Sequence, residues 1–263
     1  MHSLTLDRSD LARQHEDARH ADGKRLVRAL GVSRGHKVLD IGCGTGRLGA
    51  HVARIVGVDG EVIGIDPLPL RVAVAARREP AVFKASVGVA EDLSRFESDH
   101  FDLVSLNSVL HWSQDPPKVL SEVRRVLRRN GRLGLSVANR GRVDQRTRLV
   151  LEALSHVDGV DMGRVPSEVP GAVGWRQLSA LINQAGFSSH TLSDEVLTDY
   201  HPSLDHVLAF HLNSALGGFL LDLDDEQYEQ LRRLLAESIA PFTTSKGIRL
   251  ERYLIFAVAN RHR

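Results

Sequence analysis

The stretch VLDIGCGTGRLGAHVARI, Val38 to Ile55, limits the fold more than any other part of the chain. Its opening residues are apolar and suit a short buried strand. Three glycines then alternate, Gly42, Gly44 and Gly46, and an apolar helical pattern runs on to about Val56. Strand, glycine turn and helix make one ligand-binding unit. The glycines let the backbone turn sharply and approach a ligand with no Cβ between. The helix start offers free N–H groups and partial positive charge.

The ligand class follows from what surrounds the glycines. A phosphate loop needs Lys and then Ser or Thr after its last glycine, but Arg47 and Leu48 follow Gly46. The nicotinamide pattern G-x-G-x-x-G fails from Gly42, where Arg47 takes the third glycine's place. From Gly44 it matches through Gly46 and Gly49, without the usual strand-to-glycine spacing. The arrangement that fits is an acid at the strand end followed by alternating glycines: Asp40, Gly42, Gly44, Gly46. A carboxylate there repels phosphate but suits an ammonium, directly or through water. The helix N-terminus suits a carboxylate. A zwitterionic amino acid joined to a nucleoside therefore matches better than a dinucleotide.

The rest of the chain keeps a strand–helix rhythm. Strands are expected at 36–42, 60–66, 81–88, 101–108 and 132–139, with helices at 11–30, 68–78 and 117–131. In the last of these Val119, Leu120, Val123, Val126 and Leu127 share a face, and Gly131 is the expected stop. Such alternation predicts a parallel sheet with helices on both faces. Beyond Asn139 a helix at 144–156, a loop at 157–174, a helix at 174–187, a strand or strand pair at 190–201, a mostly helical segment at 203–240 and a closing strand at 248–261 are expected. Gly217 and Gly218 are expected to interrupt the helical segment.

VLDIGCGTGRLG resembles the first motif of class I S-adenosylmethionine-dependent methyltransferases. Asp66 resembles the family's acid on the two ribose hydroxyls, an acceptor pair matched to a diol. AEDL, 90–93, stands where the family holds the adenine edge. There Val89 replaces the usual polar residue, and Glu91 or Asp92 takes its role. FDLVSLNSVLHW, 101–112, and VLRRNGRLGLS, 126–136, resemble the small-molecule, ubiquinone-type (type 11) subgroup. The resemblance is firm over 33–140 and weaker over 174–200 and 248–261. It implies a Rossmann-like, doubly wound α/β fold: seven strands, mostly parallel with the last antiparallel, in one methyltransferase domain over 1–263. Segments 1–30, 141–173 and 202–245 would form a helical cap over the carboxyl ends of the strands. It implies S-adenosylmethionine as cofactor, held by Asp40, Gly42, Cys43, Gly44, Gly46, Asp66, Pro67, Ala90, Glu91, Asp92 and Asn107.

The acceptor is left to the remaining residues. His111, after the fourth strand, is a candidate base or positioning group, against an aromatic packing step at a helix start. His15, Arg19, Trp112, Phe210 and Phe219 are candidate pocket residues, against solvated or core positions. The cap's apolar residues suit a small, moderately apolar molecule. A cofactor-binding protein that transfers no methyl is the competing reading, with a nicotinamide oxidoreductase third. Cys43 is the single cysteine, which excludes an intramolecular disulfide and argues against the cysteine-dependent arsenite methyltransferases. His201, Asp205, His206 and His211 look metal-like in a list. Only His201 and Asp205 have helical spacing, and Pro202 breaks the geometry, so no metal is assigned. A net charge of +1 implies no nucleic-acid surface. No apolar run suits a membrane span, and a polar N-terminus favours the cytoplasm. A homodimer is compatible with all of this.

Overall fold

The computed structural model describes residues 8–78, 81–165, 172–213 and 215–262, with backbone alone at 8–17, 212, 213 and 215. Five strands run parallel: β1 (Lys37–Ile41), β2 (Glu61–Asp66), β3 (Phe83–Val87), β4 (Phe101–Asn107) and β5 (Leu127–Ala138). The long strands β6 (Ser189–His201) and β8 (Gly247–Asn260) complete the order β3-β2-β1-β4-β5-β8-β6, and the two-residue β7 (Thr243–Thr244) pairs with β8. β8 is antiparallel to β5, with Leu135 opposite Ala257. This is the doubly wound, mostly parallel sheet that the alternation predicts, with a short eighth strand added. The strand order reverses between β1 and β4, so the loops leaving these two neighbours diverge to opposite faces and open a crevice.

Nine helices are described: α1 (Arg8–Leu30), α2 (Arg47–Val56), α3 (Pro69–Ala75), α4 (Pro116–Val126), α5 (Gln145–Leu154), α6 (Trp175–Gln184), α7 (Leu204–Ala209), α8 (Ala215–Leu221) and α9 (Asp225–Ile239). Parallel strands covered on both faces read as continuous apolar runs, and β4 is buried from Phe101 to Leu106. α2 buries Leu48, Gly49, Ala50, Val52, Ala53 and Val56. α4 starts where the Asp115 side chain accepts from the Lys118 N–H at 3.0 Å, and Pro116 at its first position needs no hydrogen-bond partner.

The chain divides into two compact units. One is Arg19–Asn139, Pro170–Glu195 and Leu254–Arg263. Its core joins Leu39, Ile65, Phe101, Leu106 and Leu133 to Val119, Val123, Leu178 and Ile182. The other is Met1–Ala18, Arg140–Val169 and Val196–Tyr253. It has a separate core that includes Leu149, Leu154, Val207, Leu231, Leu235, Ile248 and Leu250. α1, β6 and β8 each pass from one unit into the other.

Two local expectations fail. α4 ends at Val126, not at Gly131, because Leu127 is already extended and pairs with Phe101 of β4. Asn130, at φ 63°, and Gly131 serve the following strand instead. A Cβ on Gly131 would lie 2.8 Å from the Arg128 carbonyl and 3.0 Å from that of Asp102. Gly217 and Gly218 do not interrupt a helix either; both lie within α8. Among the described residues no helix is long and apolar enough to cross a membrane.

Candidate functional site

The glycine loop hangs from the end of β2. The N–H groups of Gly42 and Cys43 both donate to the Ile65 carbonyl, at 2.7 and 3.0 Å. The Gly44 N–H donates to Asp66 Oδ2 at 3.0 Å, and the Leu68 N–H to Asp66 Oδ1 at 3.0 Å. Asp66 thus closes the loop as well as presenting a carboxylate. Gly42, Gly44 and Gly46 all have positive φ, at 70°, 55° and 79°. Their surroundings differ. A Cβ on Gly42 would lie 2.3 Å from Val109, and one on Gly46 would meet Phe83 and Ala75 within 2.9 Å. A Cβ on Gly44 would meet nothing within 4 Å.

Asp40 is 2% exposed at the end of β1. Ser105 Oγ, on the adjacent β4, donates to its Oδ1 at 2.6 Å. Among the described residues its buried Oδ2 has no partner. Burial, and then the nearby Asp66 charge, push Asp40 up to about 6 against the Ser105 hydrogen bond. Cys43 packs over Gly64, and burial pushes its thiol well up, with the charges of Asp40 and Asp66 adding to the effect. A protonated, buried thiol is a packing group and no nucleophile.

Beyond β3, Ala90 is buried. Glu91 accepts from Ser113 Oγ at 2.5 Å. Asp92 accepts from the Ser94 N–H at 3.0 Å, a turn that lowers its pKa. At the end of β4, Asn107 Nδ2 donates to the Arg19 carbonyl at 2.8 Å and its Oδ1 accepts from Ser136 at 2.9 Å. A single 3-10 turn, Leu110–Trp112, holds His111. Burial, then the Arg19 charge, lower His111 to about 4. Its Nδ1 is buried without a partner among the described residues, while Trp112 beside it is 64% exposed.

Residues 39–135 match the model of a methyltransferase domain. Methyltransferase GfsG of Streptomyces halstedii is 32% identical over 148 residues, 51% of this chain and 53% of that protein. The 2-phytyl-1,4-naphtoquinone methyltransferase of Synechococcus elongatus is 38% identical over 122 residues, 44% of this chain and 52% of that one. Over residues 39–135 the chain is thus similar to a methyltransferase domain. It spans about half the length of these curated relatives. The crystal structure of the YcgJ protein from Bacillus subtilis superposes with a TM-score of 0.61 at 19% identity, over 93% of this chain and 99% of that one, a likeness of fold.

The residues of this site fit S-adenosylmethionine, the cofactor that the resemblance implies. The unpartnered Asp40 oxygen suits an ammonium, and the open space at Gly44 is room that a side chain would fill. The structure brings Asp40, Gly44 and Asp66 into one cluster and Arg19, Asn107 and His111 into another. Pro67 is exposed beside Asp66. His15 has no described side chain. Phe210 and Phe219 belong to the other unit, where Arg146 lies 3.3 Å over the Phe210 ring centroid and Phe219 packs on the core. Sequence reasoning passes over Ser105, Val109 and Ser113. Ser105 leaves a signal, one hydroxyl in the apolar run FDLVSL, but its partner is set by strand register.

The histidines that look metal-like part company. His206 Nδ1 meets Ser203 Oγ at 2.9 Å, and Asp205 pairs with Arg232. His201 and His211 instead join a buried polar cluster with Arg146, Asp144 and Asp199. Among the described residues no three His, Cys, Asp or Glu are placed to hold a metal ion.

Proposed function

We propose that this protein transfers a methyl group to a small, moderately apolar acceptor at O, N or C. The observation that carries the reading is the pair of buried carboxylates, Asp40 and Asp66, around a glycine loop with open space at Gly44. When bound, S-adenosylmethionine supplies a methyl group on an already activated sulfonium. Asp40 Oδ2 takes the ammonium of the amino-acid moiety. Asp66 accepts from the ribose hydroxyls. Ala90, with Glu91 or Asp92, holds the adenine edge, and Gly42, Cys43, Gly46, Pro67 and Asn107 complete the set.

For such a displacement, positioning the acceptor does most of the work. A base matters only where the acceptor loses a proton on attack. His111, lowered to about 4, is neutral at physiological pH, a weak base and a ready hydrogen-bond acceptor. Its role is to orient the acceptor, with Arg19 and Trp112. Phe210 and Phe219 are the residues proposed to govern acceptor choice. The likeness to a protein named as a naphtoquinone methyltransferase supports a small, partly apolar acceptor.

The first test is thermal. S-adenosylhomocysteine at about 100 times its Kd stabilises the native state by about 2.7 kcal/mol. No shift on well-folded protein sinks the cofactor reading. The second test offers labelled cofactor with phenols, quinols, carboxylic acids and amines. Binding without transfer to any of them favours the non-methylating alternative. With an acceptor in hand, Phe210→Ala and Phe219→Ala change acceptor kinetics more than cofactor affinity, and His111→Gln lowers kcat without removing an inflection between pH 5 and 8.

A further inference from the structure

A cleft of about 340 Å³ is lined by His20, Arg47, Ala50, Arg54, Arg77 and Arg78. All six belong to the unit that carries the parallel sheet. α1 contributes His20, and Arg77 and Arg78 follow α3. On α2, Arg47, Ala50 and Arg54 are spaced to share one helix face. The small Ala50 between the two arginines leaves room over that face. Among the described residues no carboxylate lines the cleft. Arg54 and Arg77 have no side-chain hydrogen bond or ion pair with any described residue. Arg78 Nε donates to the Thr45 carbonyl of the glycine loop at 2.7 Å, which fixes that guanidinium.

Among the described residues more cations stand near the cleft. Burial, then the charges of Lys24, Arg54 and Arg28, hold His51 below its ordinary value, and its ring packs edge-on at 6.0 Å from His20. Like charges gathered in a concavity repel one another and focus potential on a counter-ion. Guanidinium forks match the oxygens of a phosphate. We propose that this cleft binds the phosphate or diphosphate group of a small ligand. A nucleic acid follows an extended basic surface, whereas this chain has a net charge of only +1 and the arginines are gathered in one cleft. The cofactor reading carries no phosphate, so this site stands apart from it.

Calorimetry on the full chain tests this with sodium pyrophosphate, sodium phosphate and glycerol 3-phosphate, against sodium chloride of matched ionic strength. The expected result is saturable one-to-one binding, tightest for pyrophosphate, and at least tenfold weaker in the R54Q/R77Q double variant. Circular dichroism checks that the variant folds. Tighter binding of glycerol 3-phosphate than of inorganic phosphate identifies an organic ligand, and equal binding identifies the free anion; both support the site. Heats no larger than those of sodium chloride, or undiminished binding in the variant, overturn it. A DNA duplex that binds more tightly than pyrophosphate and is lost in the variant overturns it in favour of a nucleic-acid surface.

Discussion

Asp40 and Asp66 end adjacent strands, and their surroundings give them different tasks. Asp66 is satisfied on both oxygens by backbone N–H groups, whereas Asp40 keeps one buried oxygen unpartnered. Asp66→Ala therefore removes a loop clamp along with the proposed ribose contact. Calorimetry is expected to show cofactor affinity weaker by about 1.5–3 kcal/mol, the value of a charged hydrogen bond, and the melting temperature falls as well. Asp40 carries a cost that depends on pH. Its carboxyl rises from 3.8 to about 6 on folding. Below pH 3.8 it is protonated in both states and nothing is lost. Between 3.8 and 6 the unfolded chain releases a proton that the fold retains, so stability falls as pH rises. Above 6 the full cost applies, on the order of 3 kcal/mol. Asp40→Asn removes this term. Its stability relative to the native sequence should climb from pH 4 to 6 and then level off, while cofactor binding weakens. An advantage that stays constant with pH would show that Asp40 is not held protonated by the fold.

At the scale of elements, the glycine loop separates folding from binding. All three alternating glycines have positive φ, yet only Gly44 has open space where a Cβ would stand. Gly44→Ala pays for a left-handed alanine, about 1–2 kcal/mol, and the protein still folds. Its cofactor affinity should drop at least tenfold, because the added methyl takes ligand space. Gly46→Ala drives the same methyl into Phe83 and Ala75 and should lower the melting temperature more than Gly44→Ala does. Were Gly44→Ala to bind as tightly as the native chain, the cofactor would have to lie elsewhere. The sequence shows the glycine spacing but not this difference, since the neighbours come from β3, α3 and the loop after β4. The end of α4 has the same lesson. The apolar face through Leu127 is legible, and all five of its residues are buried, but strand pairing with Phe101 overrides helical rhythm at the last of them.

At the scale of the molecule, the two cores differ in what they bury. The helical unit holds a charged cluster: Arg146, 4% exposed, faces Asp144 and Asp199 and stacks on Phe210. Asp199 is also paired with Arg252 at 2.6 Å. Removing one partner of a buried pair leaves the other charge stranded, so Arg146→Ala should cost about 3–5 kcal/mol. Replacing Arg146 by Met should cost more than a surface change but leaves Asp144 without its ion pair, while Asp199 keeps Arg252. D144N with R146M should therefore recover part of the loss. Denaturation monitored by tryptophan fluorescence and by circular dichroism measures it, and a double variant no more stable than R146A would show that the pair is not coupled.

Much of this protein follows from local pattern. Apolar runs of strand length, helices at 3.6-residue period and three alternating glycines behind an acid determine the sheet class and point to the cofactor family, because periodicity and backbone freedom act within a few residues. What depends on distant neighbours waited for the tertiary structure. Ser105 reaches Asp40 only through the pairing of β1 with β4, and Glu91 meets Ser113 across 22 positions. The basic cleft draws on three elements, and the division into units runs through α1, β6 and β8 rather than between elements. Burial and charge proximity are sums over the whole fold, so the rise of Asp40 and the fall of His111 exist only once the chain has closed around them.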